Sequence, residues 1–517
     1  MPLIQSFRGG LNTRLPAHDP QMRERKQCVL MQNFRFQDEF IETIVGTRKY
    51  HGTSLGSDPV TALMPYYNDQ TDDYKLLAAS GGSIYKRDEV TNEFTVLASA
   101  LSPNSIFSSV MRHGVMYIPS VNDNLKKYLG GNKVETVGGG ATVPGSFRVI
   151  VWMKEIDRLF GVSDNAVFGQ ISWCDLNKPE IWDAANTERI KLKEGERVEG
   201  AEYLYGKLII FCTYTVWIYY VLGNEENWKP EEAPTAIGCP APETIKKDGN
   251  KIIYLGESPH HSLGIYSFNG STSELLTDDI TPTLARRNKN KIRNACAEIH
   301  DDLYTFSIAL DASETNNYTF DLDLVNRKED GTPAIYGPHT FGFRSAAVLN
   351  TRQKNKEFLM GGEDDGFVYF ENGNTFKSTD GNDGDAIEQS FLSAVYDDDD
   401  PETMKQFNSA SLFLRPTQLF QAFFRYYVSH GTYSEDYFFN PSVAQESFAG
   451  EFDVHFTPHL GIPNFYQFKR YLELSARGTA IQFGIHTVER AFRLAFSGFG
   501  YDAANVYKTE RVQSYVQ

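Results

Sequence analysis

The chain is poor in cysteine. Cys28, Cys174, Cys212, Cys239 and Cys296 are scattered, odd in number and never spaced C-x-x-C. That argues against a disulfide framework or zinc site and for buried thiols made in a reducing compartment. Basic charge is also short: 50 Lys and Arg face 67 Asp and Glu, a net −17. Duplex binding by phosphate neutralisation needs clustered cations, so this balance argues against it. It suits solubility, and a surface that DNA passes without adhering. No stretch approaches the roughly 18 uninterrupted apolar residues of a membrane helix. The opening residues 1–10 lack the apolar core of a secretory signal, so synthesis in the cytoplasm is expected. Catalytic signatures are missing as well: no G-x-S-x-G elbow, no P-loop, no G-x-G-x-x-G after a strand. Residues 378–384 start like a sialidase box but carry no Trp.

Aromatics, by contrast, are abundant, with 36 Phe and 28 Tyr beside 41 Gly. That composition favours strands and tight turns, an all-β chain. One strand–turn–strand phrase recurs between Leu63 and Lys377, clearest in residues 75–86 and 357–370. Its apolar anchors are Leu76, Met116, Leu159, Leu208, Ile252, Leu303 and Phe358, on average about 47 residues apart, the length of one four-stranded propeller blade. A blade cannot bury both faces alone, whereas blades closing into a ring can.

The expected architecture is therefore an about seven-bladed β-propeller over 61–380, an N-terminal extended arm over 1–60 and a C-terminal β-sandwich over 386–517. The blades are placed at 61–102, 103–145, 146–197, 198–236, 237–291, 292–341 and 342–379. The arm either runs across the ring or supplies the strand that closes the last blade, and Met22–Asn33 is its one candidate helix. Beyond residue 385 longer strand candidates alternate apolar with polar, as half-buried antiparallel strands do.

Few residues invite chemistry. The acidic turn Asp380–Asp385 lacks the register and terminal Glu of a calcium loop. Asp397–Asp400 reads as a loop whose like charges repel, with nothing supplying a compensating cation. His260 and His261 are adjacent, so they point apart, and no ligand stands at metal spacing. The aromatics Phe420, Phe423, Phe424, Tyr426 and Tyr427 read as core packing. One basic run stands out: Arg286, Arg287, Lys289, Lys291 and Arg293. It reads as a connector between blades, or as a contact for DNA phosphates or an acidic partner. No catalytic residue, cofactor or metal ligand is expected.

The opening Phe7-Arg-Gly9-Gly10-Leu11-Asn12, then Gln32-Asn33-Phe34 and Glu42 to Gly46-Thr-Arg48, resembles the start of many bacteriophage tail proteins. The end, residues 489–501, is similar to their closing sandwich strand. The likeness is nearest to the propeller-bearing nozzle or tail-hub proteins of short-tailed phages. It implies a virion protein of the tail, a hexameric ring around the DNA ejection channel. It also implies adaptor or portal-proximal and tail-fibre partners, and genomic DNA passing without sequence-specific binding. Assembly contacts are then expected at Gly9, Gly10, Leu11, Asn12, Asn33 and the basic run. The turn after the arm departs from the pattern, being Gly46-Thr-Arg-Lys49 without Pro. The alternative reading is a propeller that binds or degrades host-surface glycans.

Overall fold

The computed structural model describes the chain apart from residues 1, 2, 6, 38, 39, 104, 139–144, 165–167, 222, 235, 329, 351–355, 373, 374, 380–382, 417–421, 429–432, 440–467, 488–493 and 509–517. The chain forms two compact units. One comprises residues 48–319 and 341–371; the other comprises 1–47, 320–340 and 372–517.

The first unit is a seven-bladed propeller. Blades I to V are antiparallel four-stranded sheets in sequence order. They begin with strands Val60–Asn68, Val110–Arg112, Val149–Met153, Val198–Leu204 and Lys246–Asp248. Blade VI opens with the hairpin Cys296–His300 and Leu303–Ile308. Blade VII is built from Ser345–Asn350, Lys356–Gly361, Val368–Glu371 and, at its outer edge, Thr47–Lys49. The N-terminal segment thus supplies the closing strand. Its continuation is pinned to the same blade where Tyr50 N–H donates to the Val368 carbonyl at 2.8 Å and Leu55 N–H to Gly366 at 2.9 Å.

First strands of neighbouring blades touch one another, including those of II with III, III with IV, VI with VII and VII with I. The local reason for each blade is its turn. His113-Gly114, Tyr205-Gly206 and Asp301-Asp302 all have positive φ at both positions, the geometry of the tight turn that matches strand twist. The second strands are then buried on both faces. In Lys207–Cys212, Leu208, Ile210 and Cys212 join the core between blades III and IV. Ile209 and Phe211 join the core between IV and V. A period of two therefore serves two interfaces with one strand. The ring closes where Val60, Leu63 and Leu76 of blade I pack with Ala347, Leu349 and Leu359 of blade VII.

The second unit is a β-sandwich. One sheet runs Phe468–Gly478, Thr403–Pro416, Leu494–Lys508, Phe40–Thr43, Phe34–Gln37. The other includes Pro333–His339, Gly10–Leu11, Gln27–Gln32, Gln389–Tyr396, Ile481–Thr487, Ala422–Val428 and Tyr433–Phe439. Aromatic rings fill the space between: Phe391 lies 5.0 Å from Phe496, Phe483 5.4 Å from Phe499, and Phe7 4.9 Å from Phe391. Phe424 and Tyr426 are fully buried, as core packing requires; Phe420 lies outside the described residues.

Three expectations are corrected. The expected arm instead gives the sandwich the strands Leu3–Gln5, Gly10–Leu11, Gln27–Gln32, Phe34–Gln37 and Phe40–Thr43, because Phe7, Leu11, Met31 and Phe34 are apolar enough to be buried there. The helix is only Pro20–Glu24, capped by Asp19. Lys26 has φ 54, which ends it, and Gln27–Gln32 is a strand. The acidic loop does have a cation: Arg23 lies 2.8 Å from Asp397 and 2.9 Å from Asp399. Among the described residues no helix is long and apolar enough to cross a membrane.

Candidate functional site

The basic run lies between blades V and VI, after the short helix Thr281–Leu284. Most of its charge is spent on nearby carboxylates. Arg286 grips Asp311 with two nitrogens, the Nε at 2.7 Å. That pairing holds the Asp311 carboxyl below its usual range, against a smaller opposing effect of burial. Arg287 pairs with Glu257, Lys291 with Glu314 at 2.8 Å, and Arg293 with Glu199 at 2.9 Å. Lys289 is exposed and has no ion pair or hydrogen bond among the described residues.

Glu199 is the centre of this arrangement. It lies on the first strand of blade IV, is almost fully buried, and also takes Arg148 of blade III at 3.0 Å. Two guanidinium groups on one carboxylate make an ionic joint that satisfies the buried charge. A second joint, Lys246 to Glu298 at 2.9 Å, ties blade V to blade VI. Burial works against the Lys246 ammonium, but Glu298 and Glu243 outweigh it and raise its pKa. Burial likewise raises the Glu243 carboxyl, with Lys246, Arg344 and Arg148 pulling the other way.

Beside Glu199 a cleft of about 470 Å³ opens. Arg197, Tyr214, Glu257, Arg287, Lys289 and Arg293 line it, together with Gly195, Thr213 and Ser258. Sequence reasoning found the basic run but missed Arg197, Glu199, Tyr214 and Glu257. The one available signal was an acid inside an otherwise small and apolar stretch, Val198-Glu199-Gly200-Ala201.

The other expected residues sit in the sandwich unit and serve its fold. Gly9 N–H donates to the Lys26 carbonyl and Asn12 N–H to Cys28. Gly10 and Leu11 pair parallel with Gln27 and Cys28. The buried Asn12 amide donates to Gln27 at 2.8 Å, and its oxygen accepts from the Arg14 and Leu15 N–H groups. Asn33, at φ 58, accepts from Thr340 N–H and donates to Thr340 Oγ1 and the Glu388 carbonyl.

His261 Nδ1 and Ser258 Oγ are 2.9 Å apart at the turn of blade V. Among the described residues no group of three His, Cys, Asp or Glu could hold a metal ion. Asp380 and its two successors lie outside the described residues, while Asp383 accepts from Thr379 N–H. The five thiols are free and buried. Burial pushes Cys239 up to about 12, which makes it a poor nucleophile.

No known protein-family model matches the chain, and no curated protein matches it. Among solved structures it is similar to the CNH domain of AfRom2, at 10% identity and a TM-score of 0.36, over 64% of this chain and 98% of that one. It is similar to the Dos1 propeller, at 12% and 0.36 over 67% and 92%. A third is BamB from Moraxella catarrhalis, at 11% and 0.37 over 65% and 95%. At such scores these likenesses carry no argument about function, and the propeller stands on its own seven blades.

Proposed function

We propose that this chain is a structural component of a bacteriophage tail. It forms a ring at the nozzle or hub beside the DNA ejection channel and docks to adaptor and tail-fibre proteins. One observation carries the reading: the chain pairs a seven-bladed propeller with a second all-β unit, the two domains that the resemblance to tail nozzle proteins implies.

Ionic joints tie neighbouring blades together. Arg112–Asp157 joins blade II to III, Arg148–Glu199 joins III to IV, and Lys246–Glu298 joins V to VI. The resemblance of residues 7–12 to tail proteins supports the reading from the sequence side. A chain of net charge −17 also makes a wall along which DNA slides without sticking.

The test is the mass of the recombinant chain, measured by light scattering and native mass spectrometry, alone and with adaptor and fibre proteins. The expected result is a closed ring of about six copies. A chain that stays monomeric beside every tail partner overturns the proposal.

A further inference from the structure

The cleft across blades IV to VI holds more positive charge than it neutralises. Four cations, Arg197, Arg287, Lys289 and Arg293, face two carboxylates, Glu199 and Glu257. Both carboxylates are already paired, Glu199 with Arg148 and Arg293, Glu257 with Arg287. The surplus of two rests on Arg197 and Lys289, both exposed, whose own side chains make no ion pair or hydrogen bond among the described residues. On a chain of net charge −17, a concave site of opposite sign draws anions. The wall also holds two buried N–H groups, Arg287 Nε and Arg293 Nε, that have no acceptor.

Size and shape narrow the ligand. About 470 Å³ falls in the range of a small-molecule site. Tyr214 lines the cleft and keeps 41% of its surface exposed, an aromatic side chain with a large apolar body available to a ligand ring. Glu199, Glu257, Thr213 and Ser258 belong to the same lining, with Thr213 Oγ1 donating to Glu199 and Ser258 Oγ beside His261 Nδ1.

We propose that this cleft binds a phosphorylated sugar. Arg197 and Lys289 hold the phosphate, whose charge of about −1.5 to −2 near neutral pH matches their sum. Tyr214 carries the ring. The site is independent of ring assembly, which is read by mass and not by ligand titration.

Calorimetric titration of the full chain with glucose 6-phosphate, inorganic phosphate and glucose tests it. Glucose 6-phosphate is expected to bind at least about tenfold more tightly than either part alone. Arg197→Ala and Lys289→Ala each lower its affinity about tenfold, as the loss of a charge-assisted contact should. Tyr214→Ala weakens glucose 6-phosphate but leaves inorganic phosphate unchanged. Both cations are exposed and unpaired, so unchanged melting temperatures in their variants establish that the fold is intact. A maltotriose bearing one terminal phosphate, bound as well as the monosaccharide, identifies a glycan end as the natural form. Weaker binding of it identifies the free sugar phosphate. No binding of glucose 6-phosphate, equal binding of it and phosphate, or wild-type affinity in the R197A/K289A double variant overturns the proposal.

Discussion

A methyl group on Gly10 would stand 2.3 Å from the Ile335 carbonyl oxygen, with the backbone held at φ +73. On Gly9 it would stand 2.0 Å from the Arg25 carbonyl. The Gly-Gly pair is therefore required by close backbone approach inside the sandwich, where a short parallel strand threads between two others. Gly10→Ala should cost about 3 kcal/mol or more, since strain and clash add. Gly131→Ala meets nothing within 4 Å and should be neutral or slightly stabilising. Chemical denaturation of both variants checks the contrast; equal stabilities would remove the close-approach argument. At this scale the sequence was partly legible. A Gly-Gly-Leu-Asn run announces a special backbone, but its partner Ile335 lies over 300 residues on. The same separation hid Arg23 from the acids it neutralises at Asp397 and Asp399.

Strands and turns were the most legible level, because period-two burial and turn residues are local properties. The repeat was readable from second-strand runs such as Leu208–Cys212, whose side chains alternate between two cores. What joins one blade to the next was not, since ion pairs leave no periodic trace. Arg112, on the first strand of blade II, grips Asp157 in the turn after Val149–Met153 of blade III, at 2.9 and 2.5 Å. The hydrogen bonds from Arg112 lower the Asp157 pKa, burial opposes them, and Trp152 Nε1 adds a further bond. A carboxyl whose folded pKa is depressed stabilises the fold fully above its unfolded value and loses that contribution as pH falls through the folded one. The stability difference between the parent chain and Arg112→Met should therefore be complete at pH 6. It should shrink below roughly pH 4, the ordinary carboxylate range. Denaturant midpoints across that interval measure it; a gap that does not narrow on acidification would rule out Asp157 as its source.

On the scale of the whole molecule, a propeller must decide which segment closes it. Here Thr47–Lys49 forms the outer strand of blade VII. Tyr50 then clasps both sides of the seam: its hydroxyl donates to Glu357 of blade VII at 2.8 Å and accepts from Arg87 of blade I at 2.8 Å. The Arg87 guanidinium also lies over the Tyr50 ring, 4.0 Å from its centre. The repeat in the sequence could not mark this strand, because it stands more than 300 residues from the blade it completes. Nor could composition mark the change of unit within Tyr318–Arg327, where one unbroken strand passes from propeller to sandwich after Thr319. A fragment cut where the repeat begins, 61–380, leaves the backbone edge of Val368–Glu371 unpaired, an invitation to aggregate. A fragment starting at residue 44 restores the outer strand and the Tyr50 clasp, while both share the same sandwich-derived segment 320–340. The longer fragment should be monodisperse and melt several degrees higher, since about 1 kcal/mol shifts the melting point of a domain this size by about 2 °C. Size-exclusion profiles and melting curves that match between the two would show that the ring closes without its N-terminal strand.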